Sequence, residues 1–120
     1  MDYALQQIGI LMVGVSDMSR SLSFYRDALG LKVNMDSPEF VFLSGGGVTL
    51  ALSVPLWKAT GAKTGSTEIV FSVPSLRTAH EGLQSKGVAC TQEPRPVTGP
   101  MWAANFRDPD GHLFSVFGPE

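Results

Sequence analysis

Cysteine is nearly missing from this chain: 120 residues carry one, Cys90. A single thiol forms no internal disulfide, which excludes a disulfide-stapled scaffold and fits a reducing compartment. Cys90 itself reads as a small buried thiol, the ordinary role of a lone cysteine. Histidine is scarce as well, with His80 and His112 the only two, so no nucleophile with its base stands out. Charge is thin: 17% charged residues and a net charge of −2 leave no basic, aromatic-interleaved patch, and a nucleic-acid partner is excluded. No apolar run reaches the roughly 18 residues of a membrane span. The opening M-D-Y-A-L-Q-Q has neither a basic segment nor a signal-like apolar core. These absences point to a cytoplasmic protein that meets neither membrane nor nucleic acid.

What is present is an ordinary globular mixture, 43% hydrophobic with 13 glycines and 8 prolines, long enough for one domain. Residues 8–15, I-G-I-L-M-V-G-V, are almost wholly apolar and read as a strand covered on both faces. Asp17 offers an N-cap, Met18, Leu22, Tyr25 and Leu29 follow at helical spacing, and Gly30 ends the helix. Short strands follow at 31–35, 39–43 and 48–54, the last two separated by a Gly45-Gly46-Gly47 turn. Residues 55–66, rich in Gly, Lys, Thr and Ser, read as a connector.

The order then repeats. A strand at 69–73 precedes a helix capped by Ser75, carrying Leu76, Ala79 and Leu83 and ending at Lys86-Gly87. A strand starts at 88–91, E-P-R-P-V-T-G-P at 93–100 reads as a loop, and strands follow at 101–107 and 112–117. His80 falls on the second helix, on its solvated side. Val15 and Val73 are 58 apart, and Gly47 and Gly111 each open a final strand. So β-α-β-β-β occurs twice in a single domain spanning 1–120, as module one (about 7–54), connector (55–66) and module two (about 67–120). One helix covers one face of each sheet, and the other face must close on something, most simply the second module. The fold class this predicts is α+β: two βαβββ modules whose curled mixed sheets surround a cup, with helices on the outside. Phe24, Tyr25, Phe71, Phe106 and Phe114 fit the helix-to-sheet core.

Two stretches carry a resemblance. V-S-D-M-S-R-S-L-S-F-Y-R-D-A-L-G-L-K-V (15–33) and F-R-D-P-D-G-H-L-F (106–114) resemble the opening and closing signatures of the vicinal oxygen chelate family. That family includes glyoxalase I, extradiol dioxygenases, fosfomycin-resistance enzymes and bleomycin-binding proteins. It hosts several unrelated chemistries, so the resemblance speaks to fold more than to reaction. It also implies a homodimer. D-P-D-G at 108–111 has the first letters of a calcium loop but lacks the later oxygen ligands. Pro109 and Gly111 suit a tight corner instead.

The resemblance further implies four equivalent metal-ligand positions, two per module, on the first and last strands. Counting from Asp17 and from the turn glycines, they fall on Ile10, Ala51, Glu68 and Ser115. Divalent metals want three or four N, O or S donors, so no metal is expected here, and no other cofactor. A divalent metal held through non-standard ligands such as His112 is the alternative.

Strand alternation then gives the faces expected toward the cup: Ile8, Ile10, Met12 and Gly14; Thr49, Ala51 and Ser53; Glu68, Val70 and Ser72; Leu113, Ser115 and Phe117. They are mostly apolar with a few hydroxyls and one acid, the lining a small organic ligand needs. Glu68 is the candidate general base, since an unpaired carboxylate in apolar surroundings would have a raised pKa. Met12, Trp57, Met101, Trp102 and Ser115 are the candidate ligand-binding residues, the tryptophans as stacking surfaces and the methionines as adaptable apolar contacts. The function these residues point to is metal-free binding of a small organic molecule, with sequestration of an antibiotic or toxic metabolite as the family analogue. The alternative is a glyoxalase-like lyase or isomerase, or a dioxygenase, using Glu68 as base or a metal on unusual ligands.

Overall fold

The computed structural model describes residue 5 and residues 7–61, 63–65 and 67–120. Residues 1–4, Gln6, Ala62 and Ser66 lie outside that set. The chain divides into two compact units, residues 1–63 and 64–120.

The first unit runs β1 (Ile10–Gly14), α1 (Met18–Ser23) continued by a π-helical turn (Phe24–Ala28), β2 (Val33–Asp36), β3 (Phe40–Ser44), β4 (Thr49–Ser53) and α2 (Val54–Ala59). Its sheet has the order β1-β4-β3-β2, with β1 parallel to β4 and the remaining pairs antiparallel. The second unit runs β5 (Glu68–Ser72), α3 (Leu76–Ser85), β6 (Ala89–Thr98), β7 (Met101–Arg107) and β8 (Leu113–Pro119). Its sheet has the order β5-β8-β7-β6, with β5 parallel to β8. The fold is α+β, built from two βαβββ modules with four-stranded mixed sheets.

The repeat extends to residue register. Ile10 stands opposite Thr49 and Met12 opposite Ala51 in the first sheet. Glu68 stands opposite Leu113 and Val70 opposite Ser115 in the second. Ile10 and Glu68 are therefore equivalent, as are Ala51 and Ser115, which is what counting from Asp17 and the two turn glycines required.

Each module buries the strand face that its helix covers. In the first, Val13, Val15, Val41, Leu43, Leu50 and Leu52 are buried with Tyr25. In the second, Phe106 and Phe114 stack with ring centroids 5.4 Å apart, and Phe71 meets Phe114 edge-on. Leu76 and Leu83 of α3 are buried in the same unit. Asp17 Oδ1 accepts from Arg20 N at 3.2 Å and Ser75 Oγ from Thr78 N at 3.3 Å, caps that each stabilise their helix by about 1 kcal/mol.

Two segments differ from the sequence reading. Residues 55–66 read as a connector, yet the helix α2 occupies the start of that stretch. Ser53 Oγ accepts from Leu56 N at 3.0 Å, and Pro55 sits in the first turn, where a missing N–H costs nothing. The Pro-rich stretch at 93–100, read as a loop, lies mostly inside β6, which runs from Ala89 to Thr98. β6 is an edge strand of its sheet, a place where prolines are tolerated, and it pairs with β7 through three register shifts.

Candidate functional site

Alternation sorts the second sheet into two faces. Phe71, Phe106 and Phe114 point toward α3, and Glu68, Val70, Ser115, Phe117, Ala103 and Asn105 point the other way. On that second face three polar side chains form a string. Asn105 Nδ2 donates to Glu68 Oε2 at 2.8 Å. Arg95 Nη1 donates to Asn105 Oδ1 at 2.7 Å. The string runs from β6 over β7 and across β8 to β5, with a cation at one end, an amide between and an anion at the other. Glu68 is thus partnered, where the sequence suggested an isolated acid.

Arg95 reaches this face because β6 is irregular. Gln92 pairs with Asn105 and Arg95 with Ala103, so three residues of β6 match two of β7. A bulge of this kind inserts one residue and re-aims the side chains beyond it. Arg95 and Gln92 therefore share a face although they are three apart. No alternation count through E-P-R-P finds that, whereas Asn105 was findable, since it follows Met101 and Ala103 at strand spacing.

The apolar neighbours are Val70, 54% exposed, and the half-buried Phe117 and Met101, while Ser115 is buried. Glu68, Met101 and Ser115 lie on one face of the second sheet. Trp102 lies on the opposite face, beside α3, where with Leu76, His80 and Pro94 it lines a groove of about 290 Å³. In the first sheet, Ile10 and Met12 are 51% and 41% exposed on the face away from the buried strand core. Trp57 of α2 lies over the same side: a Cβ at Gly14 would stand 3.0 Å from its backbone.

The donor chemistry at the four equivalent positions does not suit a divalent metal. Ile10 and Ala51 offer no donor, Ser115 offers a neutral hydroxyl, and only Glu68 carries a charge that binds metal well. His112 sits in the 108–112 corner, which the side chain of Asp108 organises. Asp108 Oδ1 accepts from Asp110 N at 3.0 Å and from His112 N at 2.8 Å, and Gly111 takes φ +91°, a conformation glycine adopts freely. R-D-P-D-G-H is a corner that aims β8.

Two further residues depart from the sequence reading. Cys90, expected to be buried, is exposed on the edge strand. Its thiol is pushed above its ordinary pKa, first by partial burial and then by the negative charge of Glu93, with a backbone hydrogen bond at Gln92 pulling the other way. His80, expected to be solvated, has a side chain only 15% exposed and pairs with Glu93 at 3.0 Å.

The fold and the site together define the class. Residues 7–116 match the Glyoxalase/Bleomycin resistance protein/Dioxygenase superfamily, and the chain belongs to that superfamily. It is 30% identical over 117 residues to a lactoylglutathione lyase of Salmonella typhimurium, covering 88% of this chain and 87% of the relative. Among solved structures it resembles TnmS3, an antibiotic binding protein from Streptomyces sp. CB03234, with TM-score 0.79 and 25% identity over 98% of each chain. It also shares its fold with a glyoxalase-related enzyme from Fulvimarina pelagi, at TM-score 0.80 and 23% identity, covering 95% of this chain and 88% of that one. Among the described residues no helix is long and apolar enough to cross a membrane.

Proposed function

We propose that this chain binds a small organic molecule without a metal at the four family positions, and sequesters it as an antibiotic- or metabolite-binding protein. The observation that carries the reading is the Arg95–Asn105–Glu68 string. It presents a cation, an amide and an anion in sequence along a face that also carries Val70, Ala103, Ser115 and Phe117, a mixed lining that orients a ligand of mixed polarity. Antibiotic binding by TnmS3, to which the chain is similar from end to end, supports the same reading. The protein acts as a homodimer in the cytoplasm, as the family resemblance and the scarcity of cysteine suggest.

The test is a thermal-shift screen of chelator-treated protein against antibiotics and 2-oxo aldehyde–thiol adducts. A ligand at a hundred times its Kd adds about 2.7 kcal/mol of stability. The expected result is a hit that survives chelation and is weakened by Glu68→Gln and Asn105→Ala. A hit that requires an added metal and is lost with Glu68→Gln overturns the metal-free reading.

The exposed Glu68 carboxylate favours one other reading. Held by the neutral amide of Asn105, it would serve as the base that takes a proton from carbon beside a carbonyl, as a glyoxalase-like lyase or isomerase requires. The similarity to a lactoylglutathione lyase agrees with that. Turnover of a 2-oxo aldehyde–thiol adduct that Glu68→Gln abolishes, with binding retained, selects this reading over sequestration. A dioxygenase using a metal on His112 is discarded when His112→Ala leaves metal content unchanged.

A further inference from the structure

A second group of side chains lies on the other face of the second sheet, between α3 and the edge strand β6. One ring nitrogen of His80, Cys90 Sγ and one Glu93 carboxylate oxygen all fall within 4.8 Å of one another. His80 comes from α3, and Cys90 and Glu93 from β6.

In a regular strand, residues three apart face opposite ways. The first bulge of β6 removes that difference. Cys90 pairs with Phe106, and Gln92 pairs with Asn105, so two steps along β6 match one along β7. Phe106 points toward α3, as its 6.3 Å approach to the His80 ring records, and Cys90 shares its face. Gln92 shares the face of Asn105, and Glu93, next along, returns to the α3 side. There its carboxylate meets His80 at 3.0 Å.

We propose that His80, Cys90 and Glu93 form a zinc-binding site, independent of the Glu68 face and of the family metal positions. The donor set is one imidazole nitrogen, one sulfur and one carboxylate oxygen, a combination that suits a borderline ion such as Zn²⁺ in tetrahedral coordination, with water as the fourth ligand. The imidazole is the fixed element. It is mostly covered and lies against Phe106, whereas Glu93 is 75% exposed and adjusts at little cost. Binding replaces the Cys90 S–H proton with the metal: the thiol proton passes to solvent, the sulfur lone pair goes to Zn²⁺, and no electron is transferred. The S–H contact to the Gln92 carbonyl at 3.3 Å is given up in the exchange. With three protein donors, a fourth position would be left for water or an exchangeable ligand on the ion.

The experiment is titration of the chelator-treated full chain with Zn²⁺ by calorimetry, and with Co²⁺ by absorbance. The expected result is one ion per chain and a thiolate-to-cobalt charge-transfer band. Cys90→Ser and Glu93→Gln, both at exposed positions, should each weaken binding at least about tenfold, the lower range for losing even an outer partner of a metal ligand. Cys90→Ser should also abolish the band. Glu68→Gln should leave stoichiometry and affinity unchanged, which separates this site from the proposed ligand face. Far-ultraviolet dichroism of each metal-free variant confirms that the fold is intact. No binding, binding that Cys90→Ser leaves untouched, or binding lost with Glu68→Gln would each overturn the proposal.

Discussion

Asn105 donates its side-chain amide to Glu68 Oε2 at 2.8 Å across the width of one intervening strand. The contact places a carboxylate that the flexible Glu side chain would otherwise let wander. Asn105→Ala should therefore change folding stability little, by less than about 1 kcal/mol for a partly exposed hydrogen bond. It should weaken a ligand that uses Glu68 by about tenfold. Denaturant unfolding and a thermal-shift titration of the same variant separate the two effects.

Arg95 anchors the other end of the string through Asn105 Oδ1 at 2.7 Å. Arg95→Lys keeps the charge but loses the planar fork that aligns with an amide oxygen. If the guanidinium only neutralises Glu68, Arg95→Lys should bind ligand as the native chain does. If it orients Asn105, the affinity should fall in Arg95→Lys nearly as far as in Asn105→Ala. The second outcome is expected, because the geometry runs through the amide.

The two modules were legible in the sequence because a repeat constrains more than any local motif. The offset of 58 that relates Val15 to Val73 also relates Ile10 to Glu68, and the strand register bears this out. The helix caps at Asp17 and Ser75 and the corner at 108–112 followed from turn and capping chemistry. What failed to show was everything that depends on β6. Its bulges reverse the alternation, so Arg95 joins Asn105, and Cys90 and Glu93 join His80, through a register that only the pairing with β7 reveals. α2 is hidden in the sequence because Gly61, Lys63 and Thr64 mark 55–66 as a connector, while its helix signals, the Ser53 cap and Pro55, sit at its very start.

Gly118 faces the Val73 carbonyl so closely that a Cβ there would overlap the oxygen. β8 and the residue after β5 meet at this point, where Val73 N donates to Phe117 O at 3.0 Å. Because the obstruction is backbone, no side chain rotates away to relieve it. Gly118→Ala should destabilise the fold by about 3 kcal/mol, the upper part of the range for overpacking. A shift in the unfolding midpoint at unchanged denaturant dependence is the signature.

Asp108 is buried and accepts two backbone N–H groups with one carboxylate oxygen. Asp108→Ala removes both contacts at the corner that starts β8, at a cost of roughly 1–3 kcal/mol. Asp108→Asn keeps an acceptor oxygen in place and should recover most of that loss. Chemical denaturation of the pair tests whether the corner is held by the acceptor geometry or by the charge.

Cys90 is exposed, yet its thiol is held above its usual pKa by partial burial and by Glu93. The thiolate is the reactive form. In metal-free protein, alkylation should therefore go to completion in the native state, slowly at neutral pH and faster as pH rises through the raised pKa. Glu93→Gln removes the negative charge that disfavours a second anion nearby, so the pKa should fall and alkylation at pH 7 should quicken. The pH profile of the iodoacetamide rate, measured on both chains, checks the sign. A rate unchanged by Glu93→Gln would leave burial alone as the cause, and an incomplete reaction would mean that the edge strand is covered in solution.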